Sequence, residues 1–146
     1  MKSLRTLSLV LTLCCGPLSA LAQVTAYPNK PVRIIVPFPA GGSADTLVRV
    51  VGQNLSKRWS QSVIIDNKPG GGTVIAGALA AKSPADGYTL LIGTVGIHAI
   101  NGALYEKLSY DPIADFTPIC FLASTPNVLI VSKQLGVKSL KELIAL

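Results

Sequence analysis

Short β-branched runs alternate along this chain with stretches of helical periodicity. Val32-Arg33-Ile34-Ile35-Val36 stands between Pro31 and Pro37 and predicts a buried strand. Pro39 to Ser43 reads as a turn. Beyond it Ala44, Leu47, Val48, Val51 and Leu55 recur at helical spacing as one apolar stripe, with Asp45 and Arg49 paired at i,i+4 on the other side. Ser62 to Asp66 predicts a second strand, ended by Asn67-Lys68-Pro69-Gly70-Gly71-Gly72. Thr73 to Ala81 is apolar nearly all round and predicts a helix buried on several sides. Pro84 and Asp86-Gly87 turn the chain into a third strand, Tyr88 to Ile92. Gly93-Thr94-Val95-Gly96 then leads to a short helix over Asn101 to Lys107. Strands alternating with helices predict a parallel sheet with helical crossovers, an α/β fold. Near the end, Ser139-Leu140-Lys141-Glu142 forms a capping box that announces a helix with few residues left to build it. The expectation is a truncated chain.

Composition narrows the class. With 146 residues, 49% hydrophobic and 14% charged, the chain suits one domain or slightly more and is not disordered. Part of its mean hydropathy of +0.51 comes from the start. Lys2 and Arg5 precede an apolar core from Leu7 to Cys15, Pro17 breaks it, and Ala20-Leu21-Ala22 ends it with small residues. Residues 1–22 therefore read as a secretory signal cut before Gln23, since the core is too short to span a bilayer. The expected location is the periplasm, with nothing transmembrane in the mature chain. Removal of Cys14 and Cys15 leaves Cys120 without a disulfide partner. Its place in the apolar run Ile119 to Ala123 predicts a core thiol.

Three glycine-bearing loops, 39–43, 69–72 and 93–96, each follow a strand and gather at the carboxyl edge of a parallel sheet, where open α/β folds bind ligands. Gly41, Gly42 and Ser43 also precede a helix, so backbone N–H groups and the positive dipole end can receive an anion there. Neither the dinucleotide fingerprint nor the phosphate loop is present. His98 is the one histidine, so no multi-histidine metal site can form. It reads as a loop hydrogen-bonding residue. Ser43 lacks a nucleophile elbow, and Asp45 reads as a first-turn residue serving the helix start. No enzyme, cofactor or metal is expected. The formal charge of +6 carries no nucleic-acid signal, because Lys57-Arg58 is the one basic pair beyond the leader.

The blocks Tyr27-Pro28-Asn29-Lys30-Pro31, Ile34 to Asp45 (IIVPFPAGGSAD), Asp66 to Gly70, Pro84 to Leu91, His98-Ala99-Ile100-Asn101 and Asp115 to Pro118 resemble, in this order, the Bug (Bordetella uptake gene) proteins, receptors of tripartite tricarboxylate transporters. The resemblance runs over residues 27–146. It implies a type II periplasmic binding-protein fold, two α/β lobes closing on a small carboxylate, with membrane permease subunits as partners. It places the first lobe over residues 23–115 and the start of an incomplete second lobe over 116–146. It also implies a carboxylate grip at Phe38, Pro39, Ala40, Gly41, Gly42 and Ser43 with Asp45, and at Gly93, Thr94 and Gly96 with His98 and Asn101. A sensor-kinase partner, or a truncated product without binding activity, are the alternative expectations.

Overall fold

The computed structural model describes residues 26–146. The signal-peptide reading of residues 1–22 lies outside them. Two units make up the chain, one ending at Phe116 and the other running from Thr117 to Leu146.

In the first unit β1 (Val32–Val36), β2 (Val63–Asn67) and β3 (Thr89–Leu91) form one sheet in the order β2-β1-β3. Both pairings are parallel, with Val32 opposite Val63 and Arg33 opposite Thr89. The helical crossovers are α1 (Ser43–Trp59) and α2 (Val74–Ala81). β1 is central and its apolar run is buried on both faces, as a continuous run predicts. Ile34 and Val36 pack with Val48 of α1, beside Val63, Ile65, Leu90 and Ile92. Ile35 has the opposite parity and faces the other side, where α2 packs over β1 and β3. The sheet is covered by one helix on each face.

The strands lie within a residue or so of their expected bounds, but the helices differ in informative ways. The buried positions of α1 are Asp45, Val48 and Gly52, whereas Leu47 is exposed. The inward face is thus rotated from the apolar stripe toward Asp45, whose carboxylate is satisfied by polar partners and so can be buried. Gly52 permits this, because a Cβ there would stand 3.1 Å from Ile65 Cδ1. α2 is buried at Ala76 and Gly77, half-buried at most of its other positions and exposed at Ile75, with the sheet on one side and the Tyr110 ring against Gly77. After β3 the chain makes a π-helical turn over Gly96–Ile100 and then α3 (Asn101–Leu104). The helix expected to reach Lys107 stops because Tyr105 turns extended, its hydroxyl donating to the Gly71 carbonyl at 3.3 Å.

In the second unit α4 (Leu140–Ile144) is capped as its sequence predicts, Ser139 Oγ accepting from Glu142 N at 3.2 Å. The Glu142 carboxylate reaches one residue further back than a capping box requires and accepts from Lys138 N at 2.7 Å. Cys120 is exposed and not a core thiol. Residues 117–131 form neither strand nor helix, so their apolar run has no core in this unit to join.

Candidate functional site

Because the three strands are parallel, the loops after them leave from one edge of the sheet. The order β2-β1-β3 adds what the sequence alone does not carry. From β1 the chain crosses to β2 on one side, and from β2 it returns to β3 on the other. The loops after β1 and β3 therefore diverge and open a crevice, the switch point at which doubly wound sheets bind ligands. Phe38 to Gly42 and Gly93 to Gly96 are those two loops.

The β1 loop is exposed from Phe38 to Ser43 and is held by a network beneath it. Gly41, at φ 85°, turns its N–H onto Asp45 Oδ2 at 2.8 Å. The same oxygen accepts from Arg49 Nε at 2.8 Å, and Asp45 Oδ1 accepts from Asn67 Nδ2 at 2.9 Å. Asp45 is only 2% exposed. The Arg49 hydrogen bond first, then the Gly41 amide and Asn67, hold its carboxyl well below the usual carboxylate range. It is therefore ionised and already spent on the loop. Thr46 N makes the first helical bond to Gly42 O at 2.9 Å, and Gly42 caps the helix without a side chain. The N–H groups of Ser43, Ala44 and Asp45 thus begin α1 without helical acceptors, at the positive end of its dipole. Gly41 N–H, taken by Asp45, is not one of these open donors.

The β3 loop is built by close approach. Thr94 Oγ1 accepts from Ile97 N at 3.2 Å and caps the turn. A Cβ on Gly93 would lie 2.6 Å from His98 Nε2, and one on Gly96 would lie 3.1 Å from Thr73 Oγ1. His98 Nδ1 stands 2.8 Å from the Pro112 carbonyl, which can only accept, so the proton is on Nδ1. The ring also meets Phe116 edge-on at 5.1 Å. His98 is a loop-holding residue, as its setting predicts. Asn101 is 2% exposed and spends its amide on Gly72 O, Thr73 Oγ1 and Tyr110 Oη at 3.1, 3.3 and 3.2 Å. It fastens the third glycine loop to the second. Sequence reasoning missed Asn67, Tyr110 and Thr73, which frame these loops without any periodic signal. An open groove of about 390 Å³ between α1 and β2, lined by Arg49, Gln53 and Lys57 among others, lies on the far side of β1 from the β3 loop. None of the three glycine loops lines it. No group of acidic, cysteine or histidine side chains suited to a metal occurs among the described residues.

The doubly wound parallel sheet, with glycine loops and helix-start amides at its switch point, has the α/β fold of part of a periplasmic binding protein. Comparison places it further. The chain belongs to the family described as Tripartite tricarboxylate transporter family receptor, which residues 47–146 match. It is 36% identical over 129 residues to BugT of Bordetella pertussis, covering 88% of this chain and 40% of BugT. Among solved structures, R. palustris Rpa4515 with adipate aligns at TM-score 0.74 and 46% identity, over 82% of this chain and 40% of that one. MatC from Rhodopseudomonas palustris with bound malate aligns at 0.73 and 36% identity over the same shares, 82% and 40%. The chain spans well under half the length of the curated relatives it matches. No helix among the described residues is long and apolar enough to cross a membrane.

Proposed function

We propose that this chain is the carboxylate-gripping part of an extracytoplasmic solute receptor that delivers a di- or tricarboxylate to the permease subunits of a tripartite transporter. The observation that carries this reading is that the β1 and β3 loops flank the switch point, with the open Ser43 and Ala44 amides at the start of α1. One ligand carboxylate accepts from these amides, and the exposed residues Phe38 to Gly42, with the partly buried loop Gly93 to Gly96, line its approach. Asp45, His98 and Asn101 hold the loops. Adipate in Rpa4515 and malate in MatC support small dicarboxylates as the ligand class. In this reading residues 23–115 belong to the first lobe and 116–146 begin the second, and the protein works in the periplasm after loss of residues 1–22. It binds its solute without transforming it.

Calorimetric titration of the purified chain with malate, adipate and an uncharged diamide of similar length tests the reading. Heat with the diacids and none with the diamide is the expected result. Equal binding of the diamide, or none of the three, removes the carboxylate grip.

A further inference from the structure

Asn67 lies in none of the three glycine loops, yet it reaches the β1 loop directly at Phe38 and, through Asp45, at Gly41. It is the last residue of β2, in register with Val36 at the end of β1, and its parity puts it on the α1 face with Val63 and Ile65. Its Nδ2 donates to Asp45 Oδ1 at 2.9 Å and to the Phe38 carbonyl at 3.1 Å, and its Oδ1 stands 3.3 Å from Arg49 Nη2, which donates to it. One amide thus fills both donor positions and an acceptor position, which neither a carboxylate nor a hydrocarbon of the same size can do.

The direction of the Phe38 bond matters most. β2 and β3 flank β1 on opposite sides, so a carbonyl drawn to Asn67 is drawn away from the crevice beside β3. A peptide oxygen left in that crevice would repel a carboxylate and compete for the same N–H donors. Asn67 also holds the carboxylate of Asp45, which in turn holds Gly41 N–H. Phe38 and Gly41 are consequently fixed from one point, and the loop between them is shaped before any ligand arrives. Such preorganisation raises affinity by removing an ordering cost from the binding step.

We infer that Asn67 is a positioning residue for carboxylate binding, acting through the Phe38 carbonyl and Asp45 to aim the β1 loop while making no contact with the ligand. This rests on the reading that the β1 loop receives the carboxylate.

The test is titration of the wild-type chain, Asn67→Leu and Asn67→Ser with malate, at a temperature where each is folded by circular dichroism. Backbone amide NMR shifts are followed in parallel. In the wild type malate should shift the amides of Ser43 and Ala44. Both variants should bind at least tenfold more weakly, with Gly41 and Phe38 already displaced in their malate-free spectra. Asn67→Ser should fold even if Asn67→Leu does not, since it adds no bulk. A folded variant with wild-type affinity overturns the inference while leaving the proposed function in place. A wild-type chain whose Ser43 and Ala44 amides ignore malate overturns both.

Discussion

The ring of Tyr110 lies against the backbone of Gly77, so closely that a Cβ on residue 77 would stand 2.7 Å from its Cζ. Tyr110 cannot yield, because it is buried and its hydroxyl donates to the Ile97 carbonyl at 3.2 Å. Two effects oppose each other in Gly77→Ala. Alanine in a helix interior gains about 1 kcal/mol over glycine. Overpacking a tight contact costs about 1–3 kcal/mol, and here the contact is far inside van der Waals distance. The clash wins, and urea unfolding should show a net loss of up to about 2 kcal/mol. A stabilised variant would mean that Tyr110 can shift.

The two glycines of the β1 loop should separate stability from binding. Gly41 holds φ 85°, so Gly41→Ala is strained and should lose about 1–2 kcal/mol. Gly42 holds φ −76°, and a Cβ there would meet Pro39 O at an ordinary 3.6 Å. Gly42→Ala should stay within about 0.5 kcal/mol of wild type in unfolding. It should nevertheless weaken malate binding about tenfold in calorimetry, near 1.4 kcal/mol, because the methyl stands in the ligand's approach. Unchanged binding in Gly42→Ala would take this loop out of the site.

Asn101→Leu removes the amide that Gly72, Thr73 and Tyr110 share. A buried polar group left unpaired costs about 1–3 kcal/mol. A loss in that range is expected by thermal unfolding, with the third glycine loop loosened first in hydrogen exchange. Full stability in Asn101→Leu would show that water replaces the amide.

Acid should erase what Asp45 contributes. Its carboxyl is held well below the unfolded value of about 4, so between the two values the unfolded chain binds more protons than the folded one. The stabilisation is complete above the unfolded value and is lost as pH falls toward the folded one. The stability gap between wild type and Asp45→Asn should therefore be widest at neutral pH and narrow below about pH 4. Asp86 and Asp111, also held low by backbone amides, act equally in both proteins and cancel from the difference. A gap independent of pH would mean that Asp45 contributes by shape alone.

Much of this architecture was legible in the residues. Valine and isoleucine runs between prolines and glycines marked the three strands, and the spacing from Ala44 to Leu55 marked α1. The buried face of α1 was not legible, since periodicity counts apolar side chains and Asp45 is buried through hydrogen bonds made far along the chain. Strand order was equally hidden, because any right-handed crossover satisfies the local pattern. The loops at 39–43 and 93–96 could be read as candidates from glycine and helix-start chemistry. That they share a crevice depends on β1 lying between β2 and β3. Asn67 was read only as a strand-ending polar residue, its partners being 22 and 29 positions away. Cys120 misled for the opposite reason: an apolar run indicates a core only where other elements supply one.

β1 is the first strand made and also the middle one, so Val32 waits for Val63 and Arg33 waits for Thr89 before either edge is bonded. Every rung of the ladder joins residues far apart in the chain, and such pairing is slow to nucleate. Lys30 is likewise fastened from far along the chain, by a 3.0 Å ion pair with Asp86 and by the Tyr88 ring, whose centroid is 4.2 Å from its Nζ. A nascent chain built this way has no early hairpin in which to lock, and the two edges of β1 find partners only once Val63 and then Thr89 have been made. In the proposed export of this protein, such a delay would favour passage of the chain before it folds.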